Sequence, residues 1–503
     1  MKFQKMIKPI ICLLFVATFM SCNEDFVTEK PTTFADPATF VKDLKSANIL
    51  LTGAYAATRN IIHSSENGDI AVMWGTMGTD EVVVPGWEGD RKLIYLQQVT
   101  PTNVSVTKLW GKLYKAVNRV NSVVDRVGAL PAGTLSETDK SKIIAQARFL
   151  RAALYFRLVC AWENVPLIKN EVVSLSNLNV AQSAPADVYA FIVEDLKFAK
   201  DNLMAEQGKG RATKGAAQAL LAKVYLQMTG FPLNQTAKFA LAAAELKLVI
   251  ESNVYDLFAD YAHNFDVTHE QGIEHVFSFG FDGPGFGQKS LLGFMYGPNG
   301  SVSNGAGWGT CFINQEFEMS FDRNDVRLKQ NVAKHNQNDD VFVDGTDKTS
   351  WRAWKWHAAK PNNYTNDSPF DNPYIRYSDV LLMYAEAMNG QGLLTQSIVD
   401  QTVNKVRTRA GIDPVTVGTA ADMKTLLISE RRKELCMEGW RRDDLIRFGV
   451  YKTTIKAVHQ DGWSNAGSPG DNYLDHMIRW PIPSSEMELN DALVQNPVYP
   501  QAN

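Results

Sequence analysis

Between Val41 and Asn60 apolar residues recur at Leu44, Ala47, Leu51 and Ala54/Tyr55, the spacing of one helix face. The same period returns over Thr107–Val127 (Leu109, Leu113, Ala116/Val117, Val120, Val124) and Ser141–Trp162 (Ile143, Ala147, Leu150, Leu154, Leu158), predicting two longer helices. Further helices are predicted over Asp187–Met204, Thr213–Met228 and Ala237–Ser252. The second of these is rich in alanine (Ala216, Ala217, Ala219, Ala222), which permits close helix packing. Helices of this length joined by short loops predict stacked antiparallel pairs of the tetratricopeptide sort, although no strict 34-residue consensus can be laid over the chain.

Two regions break the helical pattern. Ile70–Gly89 is rich in glycine and carries Trp74 and Trp87, so it is expected to be a loop with exposed aromatics. From Tyr255 to about Pro373 glycine, asparagine, aspartate and aromatics dominate, with loops at Asp282–Gly287 and Gly297–Gly309. So long an irregular region on a helical scaffold is where binding is commonly placed. Within it, alternation of Trp354 and Trp356 predicts a short strand with one face buried. Helix is expected again over Tyr377–Asn389, Ser397–Arg409 and Met423–Phe448, and Pro481-Ile-Pro483 with Gln495-Asn-Pro497 predicts an extended tail across the surface.

The amino terminus changes the picture. Residues 1–21 hold Lys2, Lys5, Lys8, an apolar run from Ile10 to Met20 and no acidic residue, which reads as a secretory signal. It ends at Ser21-Cys22, similar to a bacterial lipobox, so Cys22 is the expected lipidation site. Asn23-Glu-Asp25 resembles an acidic signal for export to the outer face of the outer membrane. Residues 22–40 read as a lipidated tether and 41–503 as a single body, with helical scaffold over about 41–254 and 374–450 and an irregular ligand face over about 255–373. Losing the signal takes the formal charge from −4 to −7, which gives no reason to expect nucleic acid. Cys160, Cys311 and Cys436 do not make a disulfide framework and are expected as buried free thiols.

Ser429–Phe448 is the most charge-dense stretch, with six basic residues nearly cancelled by five acidic ones. Glu438 is placed to reach Arg441 or Arg442, and Asp443 to reach Arg447, if the stretch is one helix. It is read as a scaffold helix stitched to its neighbours by charge, in preference to a catalytic carboxylate cluster.

Several segments together resemble the SusD/RagB family of outer-membrane nutrient-binding lipoproteins. They are Gln146–Tyr155 with Trp162-Glu-Asn-Val-Pro-Leu167, Gly210–Leu220, Ile375–Asn389, Val403–Gly411, the charged stretch, and the proline-bearing tail. In order, and with Cys22, they cover the mature chain nearly end to end. Glu163 departs from the pattern, since the family often has glycine after the aromatic. Cys436 likewise stands where small residues are usual. The resemblance implies a mostly helical, tetratricopeptide-like body with an irregular ligand-binding part, and as partner a SusC-like TonB-dependent transporter over which the lipoprotein sits as a lid.

Sugar rings present C–H faces that stack on aromatic rings, and their hydroxyls need polar partners. Trp74 and Trp87, with Asp80 and Glu81 between them, and Tyr296 and Trp308, with Asn299 and Asn304 beside them, are therefore the candidate ligand-binding residues. The resemblance implies these two neighbourhoods without fixing individual positions. No zinc-protease, nucleophile-elbow or phosphate-loop motif occurs, so no catalytic residue and no cofactor is expected. The eight histidines show no metal-ligand spacing, and His263, His269 and His275 are expected at the surface. The chain is thus expected to be a non-catalytic, surface glycan-binding lipoprotein that delivers its ligand to the transporter. The alternatives are a peptide-binding receptor of the same uptake system and a surface glycoside hydrolase using a pair such as Asp80/Glu81.

Overall fold

The computed structural model describes residues 40–62, 74–85, 88–174, 179–206, 208, 210–281, 290–297, 308–335, 341–342, 351–359, 368–459 and 467–499. The main helices are α1 (Leu44–Ile62), α2 (Val104–Gly128), α3 (Glu137–Trp162), α4 (Pro185–Asn202), α5 (Lys214–Thr229), α6 (Lys238–Glu251), α7 (Tyr377–Gly390), α8 (Ala420–Leu435) and α9 (Arg441–Arg447). Each from α1 to α8 packs on the next in this series, which gives the mostly helical scaffold of tetratricopeptide-like pairs that the periodicity predicts. The starts are fixed locally. Asn103, Ser136 and Thr213 accept hydrogen bonds from the backbone amides of Val106, Asp139 and Ala216, and Thr419 and Asp422 form a reciprocal capping box on α8.

Helix α5 shows why its alanines matter: almost every residue from Ala216 to Thr229 is buried, so it runs through the middle of the body. The buried Lys223 ammonium on this helix is met by Asp379 of α7 at 2.6 Å. Helix α3 ends where Glu163 adopts φ 68°, ψ −72° and the Asn164 amide donates to the Trp162 carbonyl at 2.9 Å, a γ-turn. Glycine enters that conformation without the clash a side chain brings, which gives a physical reason for the family's preference at this position.

Among the described residues the strands are short: β1 (Val82–Val83), β2 (Val165–Pro166), β3 (Gln182–Ser183), β4 (His275–Phe279), β5 (Phe312–Ile313), β6 (Val332–His335), β7 (Val341–Phe342), β8 (Trp351–Ala353) and β9 (Asn372–Arg376). A five-stranded sheet runs in the order β1-β5-β8-β6-β7, and β2/β3 and β4/β9 form antiparallel pairs. The strand predicted from the alternation of Trp354 and Trp356 lies just before them instead: β8 ends at Ala353, and both tryptophans are buried in the turn that follows. The region from Tyr255 to Pro373 therefore holds more regular structure than its composition suggests, because strands of two to five residues are too short to show a two-residue period.

Three expectations are corrected. The helix predicted over Met423–Phe448 is broken by a turn at Cys436–Trp440, where Met437 has φ 58° and Gly439 φ 79°. The helix predicted over Ser397–Arg409 is two short helices meeting at Thr402. The tail is not simply extended across the surface: a short helix, Ser484–Leu489, interrupts it, and Pro481–Pro483, Leu493, Gln495, Asn496 and Tyr499 are buried while Leu489, Val494 and Val498 stay exposed. The Trp162 indole donates to the Pro481 carbonyl at 2.9 Å, the Trp480 amide to the Ala161 carbonyl at 2.8 Å, and the Asn496 side-chain amide to the Trp162 carbonyl at 3.1 Å.

The charged stretch is inside the protein. Arg376 donates to Glu274 (2.8 Å), Glu434 (2.9 Å) and Glu438 (2.7 Å), while Arg327 reaches Asp325, Glu430 and Glu434. Arg409 bridges Glu274 and Glu434, and Arg431 joins Asp379 to Asp444. Burial alone would raise the Glu434 carboxyl, but Arg409, Arg376, Arg327 and Lys355 hold it well below its usual range. The turn at Cys436–Trp440 takes Glu438 off the helix that carries Arg441 and Arg442, and Asp443 and Arg447, although on one helix, are each drawn to other partners, so the expected local pairs do not form. Glu438 meets Arg376 and Lys355, Asp443 meets Arg157, and Arg447 meets Asp444 and Glu386. Stitching to neighbours is the right description, with partners drawn mostly from distant elements; Arg447–Asp444 is the local exception among these. Among the described residues Cys160, Cys311 and Cys436 are free, the last two buried and Cys160 partly so, and no helix is long and apolar enough to cross a membrane.

Candidate functional site

Strands β1 and β5 pair antiparallel with Val82 opposite Ile313, so the residues before β1 and after β5 share one end of the ribbon. The Asn314 amide donates to the Glu81 carbonyl at 3.0 Å and brings Asp80 beside Asn314. Asn314 also caps the short helix Gln315–Met319 by accepting from the Glu316 amide. Asp80, Asn314, Glu316 and Met319, with Arg432 of α8 and Thr454, Val458 and His459 beyond α9, line a cavity of about 650 Å³. Its lining mixes hydroxyl, amide, carboxylate, guanidinium and imidazole groups with the exposed thioether of Met319, a composition able to meet a polar ligand that carries apolar faces.

Asp80 is 6% exposed and its carboxylate accepts two hydrogen bonds from Arg441, both 2.8 Å. Arg432 lies 3.0 Å from the same carboxylate and also donates to Glu316 at 3.0 Å and to the Asp80 carbonyl. Burial would raise the Asp80 carboxyl, yet Arg432 and Arg441 hold it down at about 2, so it is an anion at any physiological pH. Glu81 stands in the opposite state. It is 1% exposed, does not line the cavity, and accepts from the Met437 amide at 3.1 Å. Burial pushes its carboxyl up to about 8 against the pull of Arg441. The two therefore do not both face the cavity, as a pair of carboxylates flanking one scissile bond would have to.

Trp308 lies four residues before the other end of β5. Its amide donates to the Phe294 carbonyl at 2.8 Å and its indole stands edge-on to the Phe294 ring with centroids 4.9 Å apart. At 36% exposure it offers part of an aromatic face to solvent, as expected. Trp74 and Tyr296 do not, which corrects the sequence reading. Trp74 is 3% exposed, edge-on to Trp480 at 3.9 Å, with the Arg442 guanidinium 3.9 Å over its ring, and Tyr296 is buried in the helix Leu292–Tyr296. Trp87, Asn299 and Asn304 lie outside the described residues. The fold thus brings Asp80 into the cavity, leaves Trp308 accessible, and takes Trp74 and Tyr296 into the core.

Sequence reasoning missed Asn314, Glu316 and His459, and assigned Arg432 to the scaffold alone. The one readable sign was Asn314 ahead of an acidic turn, which marks a helix start and carries no functional message. His275, expected at the surface, is buried at the start of β4, its ring bonded to the Gly272 amide and the Asn264 carbonyl.

Two family models match this chain. One, described as the SusD family, covers residues 275–499, and another, described as starch-binding and associating with the outer membrane, covers residues 44–226. The chain belongs to the SusD family. A SusD-like protein of Bacteroides ovatus is 28% identical over 87% of this chain and 82% of its own length. A SusD homolog of Bacteroides thetaiotaomicron, solved as a crystal structure, superposes with a TM-score of 0.80 at 24% identity, covering 92% of this chain and 98% of that one. The surface glycan-binding protein A of Bacteroides uniformis superposes with a TM-score of 0.76 at 21% identity, over 90% and 99%. In this SusD-family chain the buried charge network reaches the cavity through two residues, Arg432 and Arg441, which together fix Asp80 in its wall.

Proposed function

We propose that this protein is a non-catalytic receptor that captures an oligosaccharide or polysaccharide at the cell surface and delivers it to a SusC-like TonB-dependent transporter. In this reading residues 1–21 are removed, Cys22 carries the lipid that holds the protein to the outer membrane, and residues 22–40 tether a body spanning 41–503. The irregular part, about 255–373, presents the ligand face. The observation that carries the reading is the match of residues 44–226 to the model described as starch-binding and associating with the outer membrane. The cavity beside Asp80 and the partly exposed indole of Trp308 fit it: the polar groups of one supply partners for hydroxyls, the other an apolar face for a sugar ring. Trp87 and Asn304 are retained as candidate contacts on their sequence neighbourhood.

Native gel electrophoresis through a panel of immobilised polysaccharides tests the proposal. Retardation by at least one glycan, with no new reducing ends after prolonged incubation, is the expected result. Tight retention of peptides with no retardation by any glycan would favour the peptide receptor. New reducing ends that vanish on Asp80→Ala would make the protein a hydrolase.

A further inference from the structure

Between α6 and β4 the chain makes a short 3₁₀ helix, Tyr261–Phe265, whose Tyr261, Asn264 and Phe265 are buried. The Tyr261 hydroxyl donates to the Glu434 carbonyl at 3.0 Å, tying this segment to the charged core. His263 lies on the same short helix and is only partly buried. Asp266 then folds the chain back: its carboxylate accepts from the backbone amides of Thr268 (2.8 Å) and His269 (3.1 Å). That turn lays the His269 ring over the His263 ring, with centroids 3.6 Å apart and planes 11° from parallel. Phe258 stands edge-on to both imidazoles at 5.9 Å and backs them with an apolar wall.

The outcome is that one ligand atom from each of His263, Asp266 and His269 lies within 4.8 Å of the other two. Two ligands bound at ~2.0–2.1 Å to one ion stand at most about 4.2 Å apart, so the set closes on a shared ion once side-chain rotation unstacks the two rings and turns a nitrogen of each toward it. His269 Nδ1 is hydrogen-bonded to both Asp266 oxygens at 2.9 Å, a contact that a bound ion would replace. The His269 and Asp266 side chains are 36% and 21% exposed, which leaves a path for an ion and room for water to complete its coordination.

We propose that His263, Asp266 and His269 form a binding site for a divalent transition-metal ion, zinc(II) foremost. Two imidazoles and one carboxylate select zinc, nickel or copper over calcium or magnesium, which prefer sets made of oxygen. The spacing of three residues between successive ligands carries no motif in the sequence; the 3₁₀ helix and the Asp266 turn create the site. A bound ion cross-links the two and steadies the entry to β4. This holds whatever ligand the cavity takes.

The test uses the tag-free chain, stripped with chelator, titrated with zinc(II) by calorimetry and with cobalt(II) by visible absorption. One ion per chain is expected, with a ligand-field band for cobalt, no response to magnesium, and affinity lowered roughly tenfold or more by His263→Gln or His269→Gln. His476→Gln should leave the titration unchanged. No binding at millimolar zinc, or binding that survives His263→Gln/His269→Gln together, would overturn the proposal. Should that double variant not fold, diethylpyrocarbonate labelling of the unaltered chain decides. Zinc must protect His263 and His269 selectively, and protection elsewhere or nowhere rejects the site.

Discussion

Two regions of this protein use the same residue types for opposite ends. Around Arg376 and Arg327, guanidinium and carboxylate groups are fully buried and paired with each other, while the cavity beside Asp80 keeps part of its charge at the boundary with solvent. Burying an ion pair in place of apolar side chains commonly brings no net stability, but removing one partner leaves an uncompensated charge. The inner network therefore acts as a specificity lock: it fixes which elements meet, and it tolerates no partial loss. The outer site can vary, because Trp308 and the cavity-lining amides and hydroxyls hold little of the fold together.

The sharpest way to break this contrast is Arg376→Met, which strands Glu274, Glu434 and Glu438 without their common cation. A loss of about 3–5 kcal/mol is expected by denaturant titration, enough to leave little soluble protein. A loss under about 1 kcal/mol would show that Arg409, Arg327 and Lys355 can take over. Next in size is Trp308→Ala. It should weaken retardation on a bound glycan about tenfold, or ~1.4 kcal/mol, with a smaller change in melting temperature, since only the Phe294 contact and a half-exposed ring are lost. A collapse of stability would move Trp308 to the inner class.

The subtlest expected effect is Glu81→Gln. Burial holds the Glu81 carboxyl at about 8, above the 4.5 of an unperturbed glutamate, so the folded chain keeps a proton that the unfolded chain gives up. Its contribution to stability is full below pH 4.5 and declines as pH rises through 8. The glutamine variant should flatten the fall in melting temperature across that window and leave glycan binding unchanged. An unaltered pH profile would mean that Arg441 keeps Glu81 ionised after all. Asp80, one residue away, has the opposite sign: held at about 2, it loses its contribution only as pH falls from 3.8.

How far these regions could be read from the sequence follows from how local their causes are. Helices α2 and α3 were legible because Leu109, Leu113, Leu150 and Leu154 mark a buried stripe within each segment. The break at Cys436–Trp440 was not, because the charges on either side continue a helical pattern and the partners that impose the turn, Lys355, Arg376 and Glu81, come from elsewhere. The site was less legible still. Trp74 and Trp308 sit in similar glycine-rich contexts, and only Trp480 and Arg442, some four hundred residues downstream of Trp74, decide that Trp74 is core. Asp80 was singled out for its proximity to tryptophans; what fixes it in the cavity wall is Arg441.

The contacts between α3 and the tail bear on timing. Arg157 finds its carboxylate at Asp443, and Trp162 finds its acceptor at Pro481, so the amino-terminal helices emerge from synthesis with a buried cation and an indole still waiting for the carboxyl-terminal quarter. Domains ordinarily close as they leave the ribosome. Here the partners of Arg157 and Trp162 come only with the last segment, so a chain cut short before Asp443 would leave both groups without these contacts.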